Sequence, residues 1–123
     1  MNKLSKNIWG RDFELDVIYK VFDNAGATEV QEDAISKFNE IENLDDSLNH
    51  VKQYVLENDG KDNGIVSIDN IFKYVMPKCI YVPKAPNRVV AVLCDYKFDP
   101  EHGMAVVYEN EEFSFVGEEG TVI

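Results

Sequence analysis

Lysine and arginine are scarce in this chain: twelve bases stand against 23 acids, for a formal net charge of -11 over 123 residues. Nucleic-acid affinity is built from cations that neutralise phosphates, so the balance argues against a nucleic-acid binder. Only two cysteines are present, Cys79 and Cys94, each inside an apolar segment (KCIYV and VVAVLCDY). Their spacing is neither a C-x-x-C redox motif nor a zinc knuckle, and buried free thiols are expected. Long hydrophobic runs are missing too. The opening MNKLSKNIWGRDF has no apolar signal core, and no stretch approaches the length of a membrane span, so no membrane contact and a cytoplasmic protein are expected. None of G-x-S-x-G, H-E-x-x-H, G-x-x-x-x-G-K-[ST] or a cysteine–histidine arrangement occurs. His50, one of two histidines, falls on the polar side of its helix without a nucleophile beside it.

What remains is ordinary globular composition, 45% hydrophobic and 11% aromatic. That is enough for one domain over residues 1–123 with a single core. Residues 11–23 alternate, with Phe13, Leu15, Val17, Tyr19 and Val21 on one face and Asp12, Glu14, Asp16 and Lys20 mostly on the other, which predicts a half-buried strand. Asp23-Asn24-Ala25-Gly26 supplies turn chemistry. Thr28 and Gln31 form a capping box before a helix carrying Val30, Ala34, Phe38 and Ile41. Asn43 or Asp45 caps a second helix with Leu44, Leu48, Val51 and Val55 as its stripe, and Asp45 and Asp46 suit its positive end. Gly60, in the polar NDGKDNG, is expected to stop that helix in the least ordered part of the chain. Ser67 to Val75 shows a third, short helical pattern (Ile68, Ile71, Phe72, Val75), ended by Met76-Pro77. Strands follow at 79–82, 88–98, 104–108 and 113–116. The expectation is α+β: an antiparallel sheet, made of the N-terminal strand and the C-terminal meander, with two or three helices packed on one face.

Between two of these strands stands Asp99-Pro100-Glu101-His102-Gly103. Asp95, Asp99 and Glu101 have the hard oxygens that suit calcium or magnesium, and His102 adds a ligand for zinc or manganese. Along one strand Asp95 and Asp99 stand roughly 13 Å apart, too far to share an ion unless the strand bends. A structural turn explains the segment more simply: Asp99 accepts backbone N–H bonds, Pro100 presets φ, and Gly103 takes positive φ. No metal and no other cofactor is therefore expected.

The stretch CDYKFDPEHGMAVVYENEEFSFVG resembles a family of small acidic bacterial domains of unknown function. Their C-terminal halves carry a hairpin of the form C-x-[WYF]-x-[WF]-D-P-E-H-G-[LIM]-[AG]-[IV]. IWGRDFELDVIY, the helix start at Gln31 and IFKYVMPKCIYV resemble other landmarks of that family, so the likeness spans most of the chain. The resemblance implies a non-catalytic single domain, often encoded beside polymorphic toxin and immunity genes, with no catalytic residues to carry over. The ending VGEEGTVI departs from the Gly-Pro-Gln-Asp-like ending of the family.

Three functions compete. An interaction module, immunity-type and covering a basic protein partner, fits the acidity and the missing catalytic motifs. A metal-binding or enzymatic domain would need the Asp99–His102 loop to line a pocket. A nucleic-acid-mimicking inhibitor would need carboxylates in regular rows. For the first, two acidic patches are candidates: Glu32, Asp33, Glu40, Asp45 and Asp46 around the helices, and Glu109, Glu111, Glu112, Glu118 and Glu119 toward the C-terminus.

Overall fold

A computed structural model describes residues 3–21 and 26–123. The fold is α+β, a six-stranded sheet in the order β1-β2-β3-β4-β5-β6. Its strands are β1 (Lys3–Ile8), β2 (Arg11–Tyr19), β3 (Val75–Val82), β4 (Val89–Tyr96), β5 (Met104–Glu109) and β6 (Glu112–Gly117). Two α-helices, α1 (Glu29–Asn39) and α2 (Leu48–Val55), fall in the crossover between β2 and β3. No helix among the described residues is long and apolar enough to cross a membrane.

The sheet is not wholly antiparallel as expected. β2 and β3 run parallel, Asp16–Tyr19 against Cys79–Val82, while the other four pairs are antiparallel. Parallel neighbours need a crossover of a dozen or more residues, and the helical segment between β2 and β3 supplies one. β1 is a further addition. Its inward residues are Leu4, Lys6 and Ile8, and a lysine in the middle hides the apolar alternation. Trp9 (φ +54) and Gly10 (φ +90) close the β1–β2 hairpin in two residues, the left-handed geometry that such turns require. A bulky residue rarely holds that conformation. Here Trp9 is buried, and its Nε1 donates to Ser47 Oγ at 2.9 Å.

The capping box forms as expected: Gln31 N donates to Thr28 Oγ1 and Thr28 N to Gln31 Oε1. Gln31 does more than cap. It is 1% exposed, and its Nε2 donates to Lys20 O at 2.7 Å and Val82 O at 3.1 Å. One amide thus ties the start of α1 to the ends of the two parallel strands. At the other end of α1, Lys6 reaches up from β1 to the carbonyls of Phe38 (2.8 Å) and Ile41, receiving the negative end of the helix.

Three helical expectations are corrected. Gly60 does not stop α2, because the chain continues through a π-helical turn (Leu56–Gly60) and a 3-10 turn (Lys61–Asn63) and stops at Gly64 in the left-handed region. Gly60 is there for room, since a Cβ would stand 2.9 Å from Ile65 O. The third helix reduces to one 3-10 turn, Ile71–Lys73, and Val75 already belongs to β3. Pro77 lies inside that strand, where the register with β4 shifts; a residue without an N–H fits an irregular ladder. The turn expected at Asp23–Gly26 lies outside the described residues except for Gly26.

The main core joins Ala34 and Phe38 of α1 and Val51 and Val55 of α2 to alternate strand residues such as Val92, Val106 and Tyr108. Strand residues of the opposite parity, Tyr81, Ala91, Leu93, Ala105 and Val107, form a smaller cluster with Val122 packed against it. Cys94 is buried and Cys79 partly so, both as free thiols.

Candidate functional site

A groove of about 330 Å³ runs between α2 and β6. His50 and Tyr54, one helical turn apart, face it from α2, and Gln53 and Glu57 repeat the same spacing beside them. The other wall is Phe113 to Val116, four consecutive residues of β6. Successive strand residues point to opposite faces, so a wall made of four in a row follows the strand's edge. The His50 ring stacks on Phe113 with centroids 4.2 Å apart and 18° between planes. Phe113 in turn meets Tyr108 edge-on, whose hydroxyl donates to Asp46 at 2.7 Å.

Glu57 lines the groove, and further carboxylates act on Tyr54. Burial raises the Tyr54 pKa first, and the charges of Glu118, Asp59 and Asp99 raise it further. Tyr96, 6.2 Å from Tyr54 between ring centroids, donates its hydroxyl to Asp59; burial and that bond both push its pKa up.

The Asp99–Gly103 segment connects β4 to β5. Asp99 Oδ1 accepts from the His102 backbone N–H at 3.3 Å, and its carboxylate holds His102 Nδ1 at 2.9 and 3.0 Å. Gly103 takes φ +61 and donates to Asp99 O. Pro100 and Glu101 are exposed. The C-terminal tail docks here: Glu119 N donates to His102 O at 3.1 Å, and Glu118 Oε2 lies 3.6 Å from His102 Nδ1. Asp99, His102 and Glu118 thereby bring one donor atom each within 4.8 Å of one another. The sequence-derived ligand set is redrawn. Glu118 enters it, Glu101 does not, and Asp95 turns away to Lys78 at 3.5 Å.

The His102 pKa is raised, first by the hydrogen bond to Asp99 and then by the charges of Asp99 and Glu118. A histidine whose folded pKa lies above its unfolded value of about 6.5 stabilises the fold below that value. The contribution is lost as pH rises through the folded pKa. Wild type should therefore melt above His102→Gln at pH 5.5, with the gap closing toward pH 8.5. A gap independent of pH would show that the imidazolium does not hold the tail.

The first acidic patch is exposed throughout, although Lys37 stands 3.8 Å from Glu40. The structure divides the second. Glu109 accepts from Asn87 and Glu111 pairs with Arg88 through two bonds at 2.7 and 3.0 Å, both near the β5–β6 turn. Glu112 is exposed at the start of β6, whereas Glu118 and Glu119 follow its other end, roughly 20 Å away along the strand. Glu119 is bound to Lys78 at 2.7 Å. Glu118 of the five is the one that approaches His102 and acts on Tyr54.

A family described as Domain of unknown function (DUF6985) matches residues 2–123. The chain belongs to that family. No curated protein and no solved structure matches it. Within this DUF6985 domain, the groove's aromatic wall escaped the sequence reading. His50 and Phe113 meet only because α2 lies along β6, and the one local signal was the four-residue spacing of His50 with Tyr54 and of Gln53 with Glu57.

Proposed function

We propose that this DUF6985 domain is a non-catalytic interaction module that captures a basic protein partner through the α2–β6 groove. The observation that carries it is the combination of the stacked His50–Phe113 wall with the Glu57 carboxylate lining the same groove. Aromatic faces and nearby acids together suit arginine and lysine side chains. In this proposal both helices lie on one face of the sheet; their buried residues share a single cluster with alternate strand residues. An immunity-type role, neutralising a bacterial toxin in the cytoplasm, follows from the family resemblance of the DPEHG hairpin and agrees with two unpaired thiols.

The test is association kinetics of a purified basic partner, identified by cross-linking in the source cell, over a salt series. Association should slow as salt rises, and Glu57→Lys and Glu118→Lys should slow it at low salt more than they change dissociation. Rates indifferent to salt and to both substitutions would remove the proposal.

One observation favours a second reading. Asp99, His102 and Glu118 offer oxygen and imidazole donors suited to zinc or manganese. Dialysed protein should nevertheless carry far less than one equivalent of metal, because His102 is already engaged by Asp99. Elemental analysis near one equivalent would favour the metal site instead. For the mimic alternative, Asp12, Glu14 and Asp16 do form a row on β2, but Lys3 stands 3.8 Å from Glu14 and 3.9 Å from Asp16 and offsets it.

A further inference from the structure

The two edges of the sheet are treated differently. β1 carries Lys3 and Lys6, and its outer side is partly covered, since Asn7 bridges to Asn43 and its carbonyl accepts from Leu44 N at 3.3 Å. β6 reads EFSFVG, without lysine or proline. Its backbone bonds run to β5, and among the described residues none runs outward. An unguarded edge is a template for another strand. Ser114 sits at an irregularity in the ladder with β5. The register passes from Phe113 opposite Tyr108 to Phe115 opposite Val107, so Ser114 has no residue facing it on β5. Its side chain is exposed, and Phe115 is 41% exposed.

We infer that β6 receives an extended, arginine-bearing segment of a partner protein by strand addition, the segment's alternate side chains entering the α2–β6 groove. This rests on the interaction reading and specifies its geometry and chemistry. Backbone groups of β6 would supply affinity, and the groove would supply specificity for every second residue. Arginine fits the groove better than lysine, because a planar guanidinium can lie on the His50–Phe113 stack while bonding a carboxylate such as Glu57. A second copy of this chain is the obvious rival for an open edge. It would bring another net charge of -11 against the same carboxylates, which disfavours edge-to-edge pairing.

The experiment uses a fluorescent peptide of alternating arginine and valine, the same peptide N-methylated at alternate amides, and a glutamate–valine control. Binding to the full chain is read by anisotropy, and the contact by amide hydrogen exchange. The arginine peptide should bind, N-methylation should weaken it about tenfold or more, and the glutamate control should not bind. Amides of Phe113–Val116 should gain protection. Ser114→Pro should abolish binding, and Glu57→Lys, at an exposed side chain, should weaken it about tenfold if Ser114→Pro does not fold. Equal affinity for the N-methylated peptide, or protection on the Glu32–Glu40 face instead, would overturn strand addition and leave the basic-partner proposal standing. Self-association through β6 without peptide binding would also overturn it. No association with the arginine peptide, together with no salt dependence toward the purified partner, would overturn both.

Discussion

Gly103→Ala should lower the unfolding free energy by about 2 kcal/mol, with the denaturant midpoint falling and the slope unchanged. At φ +61 a Cβ costs about 1–2 kcal/mol by itself, from its approach to the neighbouring carbonyl. The remainder comes from the tail. The added carbon would stand 2.6 Å from Glu119 Oε1 and 2.7 Å from its Cδ, closer than carbon is tolerated. Glu119 cannot swing away freely, because the same oxygen holds Lys78 at 2.7 Å and its backbone N–H holds His102 O. Gly103→Asn should be milder, since asparagine tolerates left-handed backbone while keeping the Cβ. Equilibrium unfolding of both variants checks the pair; wild-type stability in Gly103→Ala would mean that the turn neither holds a positive φ at Gly103 nor packs the tail against it.

Lys6→Met should cost about 2–3 kcal/mol while keeping the side chain's apolar stem in place. Lys6 is 4% exposed, and burial lowers its pKa. Its ammonium is the donor for carbonyls at the end of α1, and removing it leaves those oxygens buried without their partner. Lys3→Met is the control. Its ion pairs at 3.8 and 3.9 Å are exposed on both sides, so its loss should change stability by less than about 0.5 kcal/mol. Equal effects in denaturant unfolding would show that the charge of Lys6 caps nothing.

These two residues also mark where the sequence was legible. Gly103 was, because a turn between two apolar runs is a local matter and Asp99-Pro100 announces it. So were the Thr28–Gln31 cap and the meander, whose strands pair with their chain neighbours. Lys6 was not, for the opposite reason: a lysine facing inward contradicts strand alternation until the carbonyls it serves, more than thirty residues away, are known. The parallel joint of β2 and β3 and the continuation of α2 past Gly60 depend in the same way on contacts that no short window contains. The groove combines α2 and the turn after it with β6. The C-terminal acids were visible as composition, but their division between the two ends of β6 was not.

The parallel joint also bears on how the protein is made. On a ribosome, β2 emerges before its partner β3 by the whole crossover from Tyr19 to Val75. At typical synthesis rates that is a wait of roughly 3–10 s with one side of the β1–β2 hairpin unpaired. Until then that side of the hairpin is open to mispairing. β3 brings Val82 O, the second carbonyl that the Gln31 amide holds beside that of Lys20.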